Sequence, residues 1–138
     1  MNSLDALLDW YSQLSPTSLQ QIGQFYTPDA RFKDPFNDVT GIAAIQQIFE
    51  HMFSHTDGPR FVIIDQLANT EQAFVTWDFH CGVRGRQLCM RGASQLRFAA
   101  DGRIVLHRDY WDPAEELWQQ LPLLGGPVRW LRRRFSAS

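Results

Sequence analysis

The change of hydrophobic period at Asp57-Gly58-Pro59 does most to restrict what this chain can become. Before it, apolar residues recur at helical spacing; after it, they alternate with period two. Residues 3 to 14 read as an amphipathic helix capped by Ser3, with Leu4, Leu7, Leu8, Tyr11 and Leu14 along one side. Ser15-Pro16-Thr17 breaks it, and residues 18 to 26 give a second short helix with Leu19, Ile22, Phe25 and Tyr26 apolar. Thr27-Pro28-Asp29 reads as a turn, and residues 37 to 41 as a loop. Residues 42 to 54 form a third helix, on which Ile42, Ile45, Ile48, Phe49, Met52 and Phe53 make one wide stripe. His51 and His55 sit on its polar side and are expected in solvent. Past the switch, strands are expected at 61–68, 73–81, 87–99 and 104–112, with an Asp101-Gly102 hairpin signal before the last. Helices followed by an antiparallel meander make an α+β pattern, with the three N-terminal helices covering one face of the sheet.

A chain of 138 residues is expected to make one domain with a core that needs neither disulfide nor metal. Five Trp and ten Phe point to a large core or a lined cavity. A net charge of −2 gives no reason to expect nucleic acid. Cys81 and Cys89 flank a hairpin turn at a spacing that matches no metal motif, and read as reduced thiols of a cytoplasmic protein. Asp5 and Asp9 among the first leucines argue against a signal peptide, and no apolar run is long enough to span a bilayer.

Candidate chemistry begins at Ala30-Arg31-Phe32-Lys33-Asp34-Pro35-Phe36. If this stretch is a strand, Ala30, Phe32 and Asp34 share a face, and Pro35 ends it with an acid beside an apolar interior. Asp34 is then either a general base or a solvated Asp-Pro turn residue. The strand phases bring further groups to the inner side. Trp77, Phe79, Met90 and Trp111 share a face with Ser94, His107 and Asp109, and Phe49, Met52 and Phe53 can close over it. An apolar chamber with a few convergent polar groups is the usual form of a ligand site. His107 and Asp109, two apart on one strand face, can touch, as a reactive pair or as a buried polar network that only braces the sheet.

The order of these elements, with the words Tyr26-Thr27-Pro28-Asp29-Ala30-Arg31-Phe32-Lys33-Asp34-Pro35, Thr40-Gly41-Ile42 and His107-Arg108-Asp109-Tyr110-Trp111-Asp112, resembles the nuclear transport factor 2-like superfamily. More narrowly, it resembles the SnoaL-like branch with its polyketide cyclases, and it is similar to ketosteroid isomerases. The resemblance spans residues 1 to 113 and implies a cone-shaped fold. It leaves 114–138 as an apolar and basic helical tail. It also implies that Asp34 stands where ketosteroid isomerases keep their general base, with Tyr11 or Trp10 near their oxyanion-binding tyrosine. Ser94 falls where their second, protonated acid would be, and a hydroxyl is a weaker oxyanion partner. Asp109 matches the acid that SnoaL-type cyclases keep inside the cavity.

Two functions follow as expectations. In the first, the chamber binds a small hydrophobic molecule and performs isomerase- or cyclase-type acid–base chemistry with Asp34, Asp109, His107 and Tyr11, with no cofactor and no metal. In the second, the domain is a non-catalytic binder or a dimeric regulatory partner. The outer sheet face, with Thr76, Asp78, His80, Arg91, Gln95, Arg97, Arg108 and Tyr110, is the expected homodimer surface. In the tail, Trp130 and Arg132 could touch a membrane surface or dock on the domain itself.

Overall fold

The computed structural model describes residues 4–118 together with 126, 127, 130, 133 and 134. Helix α1 (Leu4–Ser12) leads to a 3-10 helix (Ser18–Gln24), strand β1 (Tyr26–Lys33), the short β2 (Asp38–Thr40) and helix α2 (Ile42–His55). Four strands follow: β3 (Asp57–Ala68), β4 (Gln72–Val83), β5 (Arg86–Phe98) and β6 (Ile104–Tyr110). A single turn, α3 (Pro113–Glu116), comes after them. The sheet order is β2-β1-β6-β5-β4-β3, with β1 and β6 parallel and every other pair antiparallel. Helix α1 packs on β3, and α2 bridges β1 and β3, so the helical cover lies over one face. This is the α+β arrangement that the resemblance implies.

Local chemistry explains most of these elements. The second helix is 3-10 rather than α, and its apolar residues Leu19, Ile22 and Phe25 recur every third position, which aligns them on one face of a three-residue turn. All three are buried. Thr27-Pro28-Asp29 is not a turn but the first half of β1. Strand β2 reaches only Arg31 to Lys33, so Pro28 sits on a free edge where its missing N–H costs no ladder bond. This correction also moves Tyr26 out of the helix and into the strand, where it is wholly buried.

The inward phases of β4 and β5 follow the alternation, and β6 breaks it once. Leu106 pairs with Arg97 and Ile104 with Phe98, which leaves Val105 as the extra residue of a bulge. Ile104 therefore turns inward and Val105 outward, the reverse of simple alternation, while His107 keeps its inward phase. Cys81 and Cys89 lie on opposite faces of the β4–β5 ladder, Cys81 buried and Cys89 outside, and neither forms a disulfide. Gly92 has a particular reason to be glycine. A Cβ there would stand 2.4 Å from Cη2 of Trp77, so the bare backbone is the bed on which the indole lies.

The segment after β6 stays in contact with the domain. Asp112 caps α3 by accepting from the Ala114 N–H (2.9 Å). Glu116 accepts from the Arg91 N–H (2.9 Å), and Leu117 packs near Leu88 and Met90. Trp130 is exposed. Residues 119–125 of the expected tail and the membrane contact at Arg132 lie outside the described residues. Among the described residues no helix is long and apolar enough to cross a membrane.

Candidate active site

A cavity of about 320 Å³ opens between α2 and the inner faces of β4, β5 and β6. That volume is at the lower end of the roughly 300–1,000 Å³ common for small-molecule sites. Of the residues expected to contact a ligand, Phe49, Met52, Trp77, Phe79, Met90 and Trp111 line it, and so do both acids, Asp34 and Asp109. Below it a chamber of about 30 Å³ is lined in part by Tyr11, Ser94, His107 and Asp109.

The polar groups form one connected chain. Trp77 Nε1–H donates to Ser94 Oγ (2.9 Å), and the Ser94 hydroxyl donates to Asp109 Oδ1 (2.5 Å). His107 Nε2 meets the same oxygen at 2.6 Å. On its far side His107 Nδ1 lies 2.7 Å from the Tyr26 hydroxyl and 3.0 Å from that of Tyr11, and the two phenols bond each other. If Asp109 is ionised, Nε2 must donate, and a neutral imidazole then accepts at Nδ1. The shorter contact to His107 favours the order in which Tyr11 donates to Tyr26, Tyr26 to His107 and His107 to Asp109. Burial, reinforced by their mutual proximity and by the Asp109 charge, holds the Tyr11 phenol well above its ordinary range. Burial does the same for Tyr26, with the Tyr11 hydrogen bond opposing and the Asp109 charge adding. Both therefore stay neutral.

Asp109 is thus fixed through Oδ1 alone; among the described residues nothing bonds Oδ2, and the side chain is 14% exposed where the cavity begins. Asp34 has a different setting. It lies one residue past the end of β1, and its Oδ1 accepts from the backbone N–H of Phe36 (2.8 Å) and Asn37 (2.6 Å) and from Asn37 Nδ2 (3.1 Å). Oδ2 takes a further contact from Asn37 Nδ2 at 3.2 Å. Asp34 is an Asx-turn staple at the cavity rim, with its carboxylate turned to its own loop.

Several expected contacts fall elsewhere. Trp10 does not reach the cavity: its Nε1–H donates to the Ser18 carbonyl (2.9 Å) and its ring stacks on Phe25 at 4.8 Å. Phe53 lines neither chamber. On a helix of about 100° per residue the lining side of α2 runs through Ile48, Phe49, His51 and Met52, and Phe53 falls just beyond its other edge. Tyr11 and Ser94 reach only the small chamber, with their hydroxyls committed to the polar chain. His51 is exposed, as expected, while also standing at the cavity rim, and stacks on His55 at 3.8 Å between ring centroids.

Tyr26 is the member of the polar chain that sequence reasoning missed. The signal was present: Pro28 biases Thr27 away from helix, and a fully buried tyrosine needs a partner for its hydroxyl. Phe36, which lies edge-on to Trp111 at 5.6 Å, and Leu117 also line the cavity and were missed.

Comparison with known proteins agrees with this architecture. Residues 7–107 match the family model of the SnoaL-like domain. Among solved structures, the chain is similar to a protein with a ketosteroid isomerase-like fold from Catenulispora acidiphila, in complex with trimethylamine. That match has a TM-score of 0.75 at 15% identity and covers 94% of this chain and 98% of the other. It is similar to an NTF2-like protein of unknown function from Burkholderia pseudomallei, with a TM-score of 0.71, 20% identity and coverage of 81% and 92%. It is also similar to TerC co-crystallised with polyporic acid, with a TM-score of 0.69, 17% identity and coverage of 79% and 90%. At such identities these likenesses speak for the fold. No curated protein sequence matches the chain.

Proposed function

The chain belongs to the SnoaL-like domain family, and we propose that it binds a small hydrophobic carbonyl compound in the α2–sheet cavity and moves a proton on it with Asp109. One observation carries the reading. Asp109 is held by two side chains through one oxygen, while its other oxygen has no partner among the described residues, at the edge of an apolar cavity. Asp109 Oδ2 takes a proton from carbon beside the carbonyl and returns it to another position of the same ligand, which is isomerase- or cyclase-type chemistry without a cofactor. His107 and Ser94 fix the carboxylate in one orientation, and Tyr26 and Tyr11 fix His107. The aromatic walls exclude water and hold the ligand flat. Asp34 contributes charge and a rigid lip at the entrance and is the second candidate base. Two fold neighbours crystallised with small molecules are consistent with a ligand-holding cavity.

A non-catalytic reading has its own support, because the chain from Trp77 to Tyr11 satisfies itself internally, as a structural network would. Proton exchange on a bicyclic ketone separates the two. With 2-tetralone in deuterated buffer, the protein should speed deuterium entry beside the carbonyl, read by NMR. Asp109→Asn should remove that acceleration and leave ketone affinity within about threefold, while Asp34→Asn should keep most of the rate. Binding without exchange would establish the binder; exchange lost only with Asp34→Asn would return the base to the turn.

The homodimer belongs to the same proposal. The outer sheet face exposes Val62, Ile64, Phe74 and Tyr110, so the face is more apolar than its charged residues suggest. Light scattering should give a dimer, and Phe74→Glu should give a monomer; a monomeric wild type at high micromolar concentration would remove the idea.

A further inference from the structure

Across the sheet from the cavity, the β4–β5 pairing brings together three side chains that the sequence keeps apart. His80 and Cys89 are directly opposed, and Asp78 lies two residues before His80 on the same outer face. An imidazole nitrogen, a thiol sulfur and a carboxylate oxygen from these residues all lie within 4.8 Å of one another. We infer that Asp78, His80 and Cys89 form a binding site for a zinc-class divalent ion on the outer face of the sheet.

The donor set fits that class. A thiolate with an imidazole suits zinc and its neighbours in the transition series and disfavours magnesium or calcium. Bond lengths of about 2.0–2.3 Å put tetrahedral donors roughly 3.3–3.8 Å apart, so closure needs only a small rotation of each side chain on a rigid ladder. Three protein ligands leave a fourth position for water or another donor. The charge balance is also favourable, since one thiolate and one carboxylate neutralise the ion. Arg60 and Arg91 stand across from His80 and Asp78, and Arg91 is drawn toward Glu116 at 3.6 Å. Burial and the Asp78 and Glu116 charges push the Cys89 thiol up, against the pull of Arg91 and Arg60, so the ion must displace a proton.

The placement gives the site a use. Its rows of the ladder alternate with Phe79 facing Met90 and Cys81 facing Leu88, all of which line the cavity on the other side. An ion bound outside would clamp the hairpin that shapes the inside.

Cobalt(II) titration of the full chain under reducing conditions tests this. Wild type should bind one equivalent, with a near-ultraviolet thiolate-to-cobalt charge-transfer band and the visible bands of a four-coordinate ion, and zinc should bleach both. Cys89→Ser should abolish the charge-transfer band with Cys81 still present. His80→Ala and Asp78→Asn should each weaken zinc by at least about tenfold, since loss of an outer-shell partner alone costs about 10–100-fold. Circular dichroism should show each of these surface variants folded. A wild type without the band, a band that survives Cys89→Ser, or unchanged zinc affinity in His80→Ala would overturn the site.

Discussion

Asp109 and Asp34 line the same cavity, yet they are wired in opposite ways. Asp34 is bonded by residues two and three positions further along its own loop. Asp109 is bonded by Ser94 from the neighbouring strand and by His107, which in turn is held by tyrosines 96 and 81 positions away. The first acid shapes a turn and would do so in a short peptide. The second exists as a positioned group only once α1, β1, β5 and β6 have assembled. Proximity to a cavity therefore does not make two acids equivalent; what matters is whether the remaining lone pairs face the ligand or the backbone.

The largest expected consequence is in stability. Asp109→Ala strands a buried imidazole N–H and a serine hydroxyl together, and should lower unfolding free energy by about 3 kcal/mol, measured by urea denaturation. If it costs no more than Asp34→Ala, the distinction between the two acids collapses.

This difference also explains what could be read in advance. Architecture was legible because the change from helical to alternating spacing is a local property, and the inward phases of Trp77, Met90, Ser94, His107 and Asp109 follow from counting along strands. The His107–Asp109 contact was legible for the same reason. The Tyr26 hydroxyl was not read, since the residue was assigned to the helical side of a boundary that Pro28 in fact marks. Nor was the commitment of Ser94 to Asp109, or of Tyr11 to Tyr26 and His107, because strand pairing and helix docking decide it. The trio of Asp78, His80 and Cys89 was hidden by the same limit: eight residues separate its last two members in sequence, and a direct cross-strand pair unites them.

Gly92→Ala probes the anchor of the Asp109 wiring without touching any polar atom. The new methyl would displace the Trp77 indole and with it the donation to Ser94. Overpacking of this kind costs about 1–3 kcal/mol. A crystal structure or the Trp77 indole N–H resonance should show the ring moved, and an unmoved ring with full stability would mean the sheet simply yields.

The tyrosine pair sharpens the comparison through pH. Both folded phenols titrate above their unfolded value near 10, so their contribution is intact below about pH 10 and is lost as pH climbs toward the folded values. In that window the unfolded chain releases protons that the native protein keeps. Stability should fall by up to about 1.4 kcal/mol per pH unit for each phenol. Tyr26→Phe should remove one such increment from the slope. Equal slopes in wild type and variant would show that the Tyr26 phenol does not resist ionisation in the fold.

The smallest effect is expected at Asp34. Replacing it with alanine removes bonds to two backbone N–H groups of an exposed loop that water can satisfy in its place, so the cost should be about 1 kcal/mol. Asparagine keeps an acceptor oxygen in the same turn and should recover most of it. That pair of variants isolates geometry from charge. If alanine and asparagine are equally destabilised, the loop needs the negative charge itself. Asp34 would then resemble Asp109 more closely than its hydrogen bonds imply, and the claim that only one of the two acids is poised toward the cavity would have to be withdrawn.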